Sequence, residues 1–597
     1  MDESMTKKRK EKKKKITHSL CLHTKRADGY RMKWVTEYTF RNFLDSITSR
    51  FGNRKAYSVF GDGEDKFISY NRLKWSAEGI GSYLMEKGFR KGDRIAIMGE
   101  SCPQWMMMYL AVTYFGAIAV PILPDFSSRE LQQILTESGA TAICINSKQF
   151  KKAESYINEH KIMVIRMDDL VHVPSLPEGY SFEDAPGIPL KDHNLNHKLL
   201  DSSLPEEDDV ASIIFTSGTT GSSKGVMLTH KNLLICADES SDTYIKVKKG
   251  MRVLSILPMS HCYEFTVTHL LCLMQGLEIT FLGKPPATTI LMKAFRDLRP
   301  HVILTVPLLI EKIYKAAVLP TLRDNQKIKK LYSNPLTRWI VLKTVKNKLI
   351  STMGGCIKFF GIGGAPMDQE VWDFLYRCHF PYALGYGLTE TSPLIAGCGP
   401  KHRMHKRGYI GKPVKHDSVI LLDKNSEGVG EIAVKGPNVM PGYYNNDALN
   451  KEVFTSDGYF RTGDLGFIDK QGFLAIRGRV KTMILGPAGE NIYPEPIESL
   501  INNMEFVQES LVVPGDGGLV ALIKIDLEAM QEKLKIGAGE VKEEAEKYLL
   551  KLKKAVNEQL SSFSRISDTE LQEKEFERTP TQKIKRFLYN RKKNDHK

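Results

Sequence analysis

The chain has 597 residues, 42% of them hydrophobic and 26% charged. These are the proportions of a soluble globular protein too long for one ordinary core, so two or more domains are expected. The formal charge of +15 is concentrated in Lys7 to Lys15 and in the stretch from Lys583 to Lys597. Such blocks are solvated tails or contacts with anionic lipid, and no nucleic-acid motif accompanies them, so nucleic acid is not an expected partner. The nine Cys are scattered, with no Cys-x-x-Cys pair, which argues against a zinc site and a disulfide framework and fits a reducing cytosol.

In chain order, residues 1–33 read as a basic, disordered tail, and no signal peptide is expected because no apolar core follows the basic start. Trp105 to Leu123 carries no charge over about the length of a bilayer span. Gly116 and Pro121 divide it into a helix, Trp105 to Phe115, and a strand, Ala117 to Ile122, the pattern of a buried α/β unit rather than a membrane span. The expected location is therefore cytoplasmic, with any membrane contact peripheral and on the inner face. Ser127 and Glu130 form a capping box, Leu131, Ile134 and Leu135 one helical face, Gly139 the stop, and Ala142 to Ile145 a buried strand. Repetition of such units predicts an α/β fold, with parallel-rich sheets covered by helices.

Asp168 to Asp208, rich in Pro, Asp, Glu and Asn, reads as a surface connection. An apolar strand, Ala211 to Phe215, then feeds Thr216-Ser217-Gly218-Thr219-Thr220-Gly221-Ser222-Ser223-Lys224-Gly225. Glycines bring backbone close to a ligand, hydroxyls and N–H groups donate to phosphate oxygens, and Lys224 adds a mobile positive charge. A Walker loop would have Gly-Lys-Ser/Thr entering a helix, whereas here Val226 to Leu228 reads as a returning strand, with a helix starting only near Thr229. Arg323 to Lys348 reads as an amphipathic, basic helical insertion, either a solvated surface or one facing a membrane. Near Arg479 the character changes. Residues 34–478 are expected to form the large N-terminal domain and 479–597 a small, mobile α+β domain, with strands at Ser510 to Pro514 and Gly518 to Ile525 and a helix from Glu540 to Leu560.

The Phe215 to Gly225 segment resembles the signature loop of the adenylate-forming (AMP-binding) superfamily, and further family-like motifs follow in order. Leu257-Pro258-Met259-Ser260-His261-Cys262-Tyr263-Glu264 resembles the acyl-pocket motif, and Gly361-Ile362-Gly363-Gly364-Ala365-Pro366 the segment lying along adenine. Gly385-Tyr386-Gly387-Leu388-Thr389-Glu390-Thr391 implies Tyr386 against adenine, Thr389 at the phosphates and Glu390 on Mg²⁺. Arg461-Thr462-Gly463-Asp464 implies that Asp464 accepts both ribose hydroxyls, and Arg479 matches a nucleotide-contacting arginine.

Lys583 matches the catalytic lysine, Lys481 the domain pivot, and Gly489 the loop that closes over the pantetheine arm of coenzyme A. Gln582 stands where many relatives have Gly, and Thr482 where an acidic residue commonly follows the pivot. The resemblance implies ATP, Mg²⁺ and coenzyme A as co-reactants, Thr216, Lys224, Glu390 and Lys583 as the catalytic set, and two half-reactions at one site. It is greatest toward long-chain fatty acyl-CoA synthetases. Transfer to a carrier-protein thiol, or a medium-chain or aryl acid as substrate, are the alternatives.

Overall fold

The computed structural model describes residues 37–63, 65–177, 179–217, 223–243, 248–323, 325–485, 491–515, 518–537, 539–579 and 584–589, with the strands His23–Arg26 and Gly29–Met32. Those two strands pair antiparallel inside the segment whose composition reads as a disordered tail.

Two nine-stranded sheets dominate. The centre of the first is parallel: Met163–Arg166, Ala142–Ile145, Arg94–Met98, Ile118–Ile122 and Val210–Ser217 lie side by side. Ser223–Thr229 then returns antiparallel to Val210–Ser217, pairing Thr216 with Lys224 and Phe215 with Gly225. The second sheet has a parallel centre built from Lys55–Val59, Glu278–Phe281, Arg252–Ser255, Val302–Thr305, Phe359–Ile362 and Tyr382–Gly387. Leu394–Cys398 turns back antiparallel on the last of these.

Between the sheets run two helices, Tyr70–Glu86, buried along most of its length, and Pro103–Tyr114, apolar on nearly all sides. Every residue of the second but Gln104 is buried, which is why its sequence has the hydropathy of a membrane span. It has only 12 residues, and no described helix is long and apolar enough to cross a membrane. Side chains from both helices and both sheets share one core.

The unit that follows is capped as its residues dictate. Ser127 Oγ accepts from Glu130 N, the Glu130 carboxylate accepts from Ser127 N, and Gly139 ends the helix Ser128–Ser138 in the left-handed region. The acidic stretch before the phosphate loop is more structured than a plain connection. Val171–His172 and Ile188–Pro189 close the sheet edge, and a turn of helix at His197–Leu200 buries Leu200.

A four-stranded antiparallel sheet, Ser418–Leu422, Gly430–Lys435, Phe460–Ile468 and Leu474–Arg479, precedes the C-terminal segment. Beyond it, Val507–Gly515, Gly518–Ile525 and Ile566–Leu571 form a sheet backed by the helix Val541–Asn557, with a core of their own. Thr482 Oγ1 donates to Glu495 Oε1 at 2.7 Å where this part leaves the antiparallel sheet.

Candidate active site

Most of the predicted site residues that the structure describes stand at strand ends and in the loops that follow them, the usual place for ligands in α/β sheets. Thr216 and Lys224 face each other across the two strands that hold the phosphate-type loop. Gly218, Thr219, Thr220 and Gly221 lie outside the described residues, as do Gly489 and Lys583; Ser217 is described only as the end of its strand. Gly225 is needed for close packing, since a Cβ there would sit 3.0 Å from Ile213 and 3.3 Å from Tyr444.

Gly385, Tyr386 and Gly387 end the strand Tyr382–Gly387, and Thr389 and Glu390 lie in the turn that follows. The Tyr386 hydroxyl donates to Asp464 Oδ2 at 2.8 Å, and Arg479 Nε lies 3.0 Å from Asp464 Oδ1. Asp464 and Arg479 are register partners on adjacent strands, so their side chains share a face. Burial first, and the Asp464 carboxylate second, hold the Tyr386 hydroxyl well above its ordinary pKa, so it stays a donor. Glu431 fixes the turn before Asp464: its carboxylate accepts from Arg461 Nε at 3.0 Å and from Gly463 N at 3.1 Å. These contacts leave Asp464 buried and oriented, suited to accepting hydrogen bonds from two adjacent hydroxyls.

Two residues that sequence reasoning missed organise the Thr389–Glu390 turn. Tyr443 donates to Glu390 Oε1 at 2.8 Å, and the Lys224 ammonium lies 5.3 Å from the Tyr443 ring centroid, so one aromatic side chain touches both the cation and the carboxylate. Asn438 Nδ2 donates to Leu394 O at 2.7 Å and to Thr391 O at 3.2 Å, and Met440 N donates to Glu390 O at 2.9 Å. The signal available was the Pro441-Gly442-Tyr443-Tyr444 run, in which Gly442–Tyr443 adds a ninth strand to the first sheet.

Gly363 follows the strand Phe359–Ile362, with Gly364, Ala365 and Pro366 exposed beyond it. Tyr263, from the acyl-type motif, packs 3.3 Å from where a Cβ on Gly363 would stand, so the two motifs meet. Between the motifs lies a cavity of about 40 Å³, room for roughly three waters. Its walls are polar at Thr216, Ser260, His261 and Thr389 and apolar at Pro121, Leu123, Phe126, Ile214 and Phe215. Burial pushes the Cys262 thiol beside it up to about 12, so this lining group is a neutral thiol. Lys481 is exposed, two residues past Arg479.

The AMP-binding enzyme family matches residues 44–444. The chain belongs to this family. The AMP-binding relatives include the peroxisomal long chain acyl-CoA synthetase 7 of Arabidopsis thaliana, 29% identical over 79% of this chain and 70% of its own length. They also include a long-chain-fatty-acid–CoA ligase of Escherichia coli, 27% identical over 83% of this chain and 87% of its own. Among solved structures, ATP-bound MatB from Rhodopseudomonas palustris has a TM-score of 0.70 at 21% identity, covering 93% of this chain and 98% of its own. O-succinylbenzoate coenzyme A synthetase from Bacillus subtilis, in complex with AMP, has a TM-score of 0.69 at 23% identity, covering 92% and 97%. These likenesses establish that the AMP-binding fold extends over nearly the whole chain.

Proposed function

We propose that this chain activates a fatty acid, with a long chain favoured, and joins it to coenzyme A. A carboxylate oxygen attacks the α-phosphorus of ATP, giving acyl-AMP and pyrophosphate; the coenzyme A thiolate then attacks the acyl carbon and AMP leaves. The observation that carries this reading is the cavity shared by the three motifs, which sets Thr216 and Thr389 beside His261 and a wall of apolar side chains. A carboxylate there has phosphate-binding groups on one side and alkyl-binding groups on the other. The relatives named as long-chain ligases support the same choice of acid.

In this reading Asp464 takes the ribose hydroxyls, while Tyr386, Gly363, Gly364, Ala365 and Pro366 border adenine. Arg479 orients Asp464, and Lys224 with the Thr216–Gly221 loop holds the departing pyrophosphate. Glu390 fits Mg²⁺, because its carboxylate is oriented by the Tyr443 hydroxyl, which donates to Oε1 at 2.8 Å. A single carboxylate plus substrate phosphates is the usual Mg²⁺ arrangement, and the ion supplies charge neutralisation at the triphosphate. No protein nucleophile takes part, so positioning and electrostatics carry the rate.

Residues 34–478 hold nucleotide and acid, and 479–597 turn about Lys481, presenting Lys583 for adenylation and Gly489 for thioester formation. Contact with membranes is peripheral, at the inner face of the membrane of a cytoplasmic enzyme.

The test is pyrophosphate release from the full chain with ATP, Mg²⁺, coenzyme A and acids from acetate to oleate, beside Lys583→Ala. Release that peaks with long acids, yields acyl-CoA and falls by about 10²-fold or more in the variant is expected. Activity confined to short or aromatic acids would overturn the substrate. Turnover that needs an acyl carrier protein in place of coenzyme A would overturn the acceptor.

A further inference from the structure

The basic segment after residue 323 is not the one-sided amphipathic helix that its composition suggests. It forms two helices, Gln326–Ser333 and Pro335–Thr352, joined at Asn334. The corner is tied: Asn334 Oδ1 accepts from Leu336 N at 2.9 Å, Thr337 Oγ1 donates to Leu331 O at 2.7 Å, and Arg338 Nε donates to Tyr332 O at 2.8 Å. One face of the second helix is anchored in the core through Val341, Leu342, Val345 and Leu349.

Its opposite face is apolar too. Leu336, Trp339 and Ile340, at i, i+3 and i+4, are 81%, 60% and 49% exposed, and Leu331 on the first helix is 46% exposed. No other large apolar side chain among the described residues is as exposed as Leu336. Three of these side chains share one helix face and the fourth stands across the hydrogen-bonded corner, a grouping of exposed apolar side chains that marks an interaction surface.

The charges around the patch identify its partner. Between residues 325 and 352 the sequence has seven Lys and Arg and no Asp or Glu. Lys327, Lys329 and Lys330 flank the patch on the first helix. Lys343 continues its face two turns beyond Leu336 and one beyond Trp339, followed by Lys346 and Lys348. None of these six Lys has a carboxylate at ion-pair distance among the described residues, in contrast to Arg323, which lies 3.4 Å from Glu370. Projecting Leu and Trp ringed by unpaired Lys have the chemistry of a bilayer interface: apolar tips enter the acyl boundary while ammonium groups meet anionic headgroups. An acidic protein would satisfy the lysines, but it would need a groove to receive tips that stand this far out of the surface.

We propose that this helical corner docks the protein on an anionic membrane, with Leu336, Trp339 and Ile340 inserted and the surrounding Lys on the headgroups. The inference deepens the peripheral contact proposed above, rests on it, and assigns it to the folded domain instead of the basic tail. Docking here places the enzyme on the phase into which long-chain acids partition.

The test is flotation of the full chain with phosphatidylcholine vesicles, with and without phosphatidylglycerol, in the absence of any substrate. Wild type is expected on the anionic vesicles, with binding weakened by salt. Leu336→Ser with Trp339→Ser is expected to lower the partition coefficient at least about tenfold, and Lys329→Ala with Lys330→Ala about fivefold for each Lys. Both variants should keep wild-type circular dichroism and wild-type pyrophosphate release with octanoate in vesicle-free solution, which separates failure of docking from failure of the catalytic reading. Variants that float like wild type, wild type that does not float, or variants that lose binding to an acidic carrier protein while keeping vesicle binding would each overturn the proposal.

Discussion

Gly387 is the residue at which backbone packing and the proposed chemistry are tied most tightly. It pairs with Leu394 in the antiparallel turn-back of the second sheet, beside a register shift at Tyr386, and the next residue, Leu388, donates its N–H to Pro393 O at 2.9 Å. A Cβ at 387 would stand 1.7 Å from Pro393 O, 2.7 Å from Pro393 C and 3.0 Å from Leu394 Cα, all main-chain atoms that no rotamer change can move. Restoring a tolerable 3.0 Å requires a shift of about 1.3 Å between the strands, on the segment that carries Tyr386, Thr389 and Glu390.

A misplacement of about 1 Å in a preorganised site costs on the order of 10²-fold, or about 2.7 kcal/mol of barrier. Gly387→Ala should therefore lower kcat/KM for pyrophosphate release by about 10²-fold or more, with the fold retained by circular dichroism. Two neighbouring glycines calibrate the argument. A Cβ on Gly385 meets only the flexible Leu394 Cδ1, at 3.0 Å, so Gly385→Ala should stay within about threefold of wild type. Gly364, at φ +84°, has nothing nearer than Val306 at 3.7 Å, so Gly364→Ala carries backbone strain of roughly 1–2 kcal/mol without a clash. A folded Gly387→Ala enzyme within about fivefold of wild-type kcat/KM would refute the reasoning.

Two further outcomes follow from the site's polar contacts. Tyr443→Phe removes the hydrogen bond to Glu390, a bond to a charged group worth about 1.5–3 kcal/mol, and should raise KM for MgATP about tenfold or more while leaving KM for the acid nearly unchanged; equal changes in both would count against it. Asn438, which supports the Thr389–Glu390 turn, also donates from Nδ2 to Asp417 Oδ2 at 3.1 Å, and burial raises the Asp417 carboxyl to about 8 from an ordinary 3.8, so the folded state keeps a proton that the unfolded chain loses. Its contribution is complete below the unfolded value and is lost as pH rises toward 8, at about 1.4 kcal/mol per pH unit. Asp417→Asn should flatten that decline, so melting temperatures of variant and wild type across this window should diverge in the variant's favour as pH rises, and parallel curves would contradict the assignment.

The elements were legible wherever local chemistry alone decides them. The capping box at Ser127 and Glu130, the left-handed stop at Gly139 and the returning strand after Lys224 all stand where the residues put them. The uncharged run from Trp105 was read correctly as a buried unit; Gly116 separates its helix from its strand, while Pro121 lies within the strand Ile118–Ile122 rather than dividing the run. What escaped the sequence depends on partners far along the chain. Tyr443 meets Glu390 across 53 positions, and Asn438 supports the same turn only because Leu394 folds back toward it. The corner at Asn334 escaped for a related reason: one helix carries two apolar faces, and only packing reveals which is buried and which is left in solvent.

The central claim is that the acid itself becomes joined to AMP before coenzyme A takes it. Oleate labelled with ¹⁸O in both carboxyl oxygens, turned over with ATP, Mg²⁺ and coenzyme A, tests this by mass spectrometry of the products. Attack of the carboxylate on the α-phosphorus predicts AMP that carries one ¹⁸O and pyrophosphate that carries none. Label in pyrophosphate or inorganic phosphate, or unlabelled AMP alongside acyl-CoA, would contradict the account.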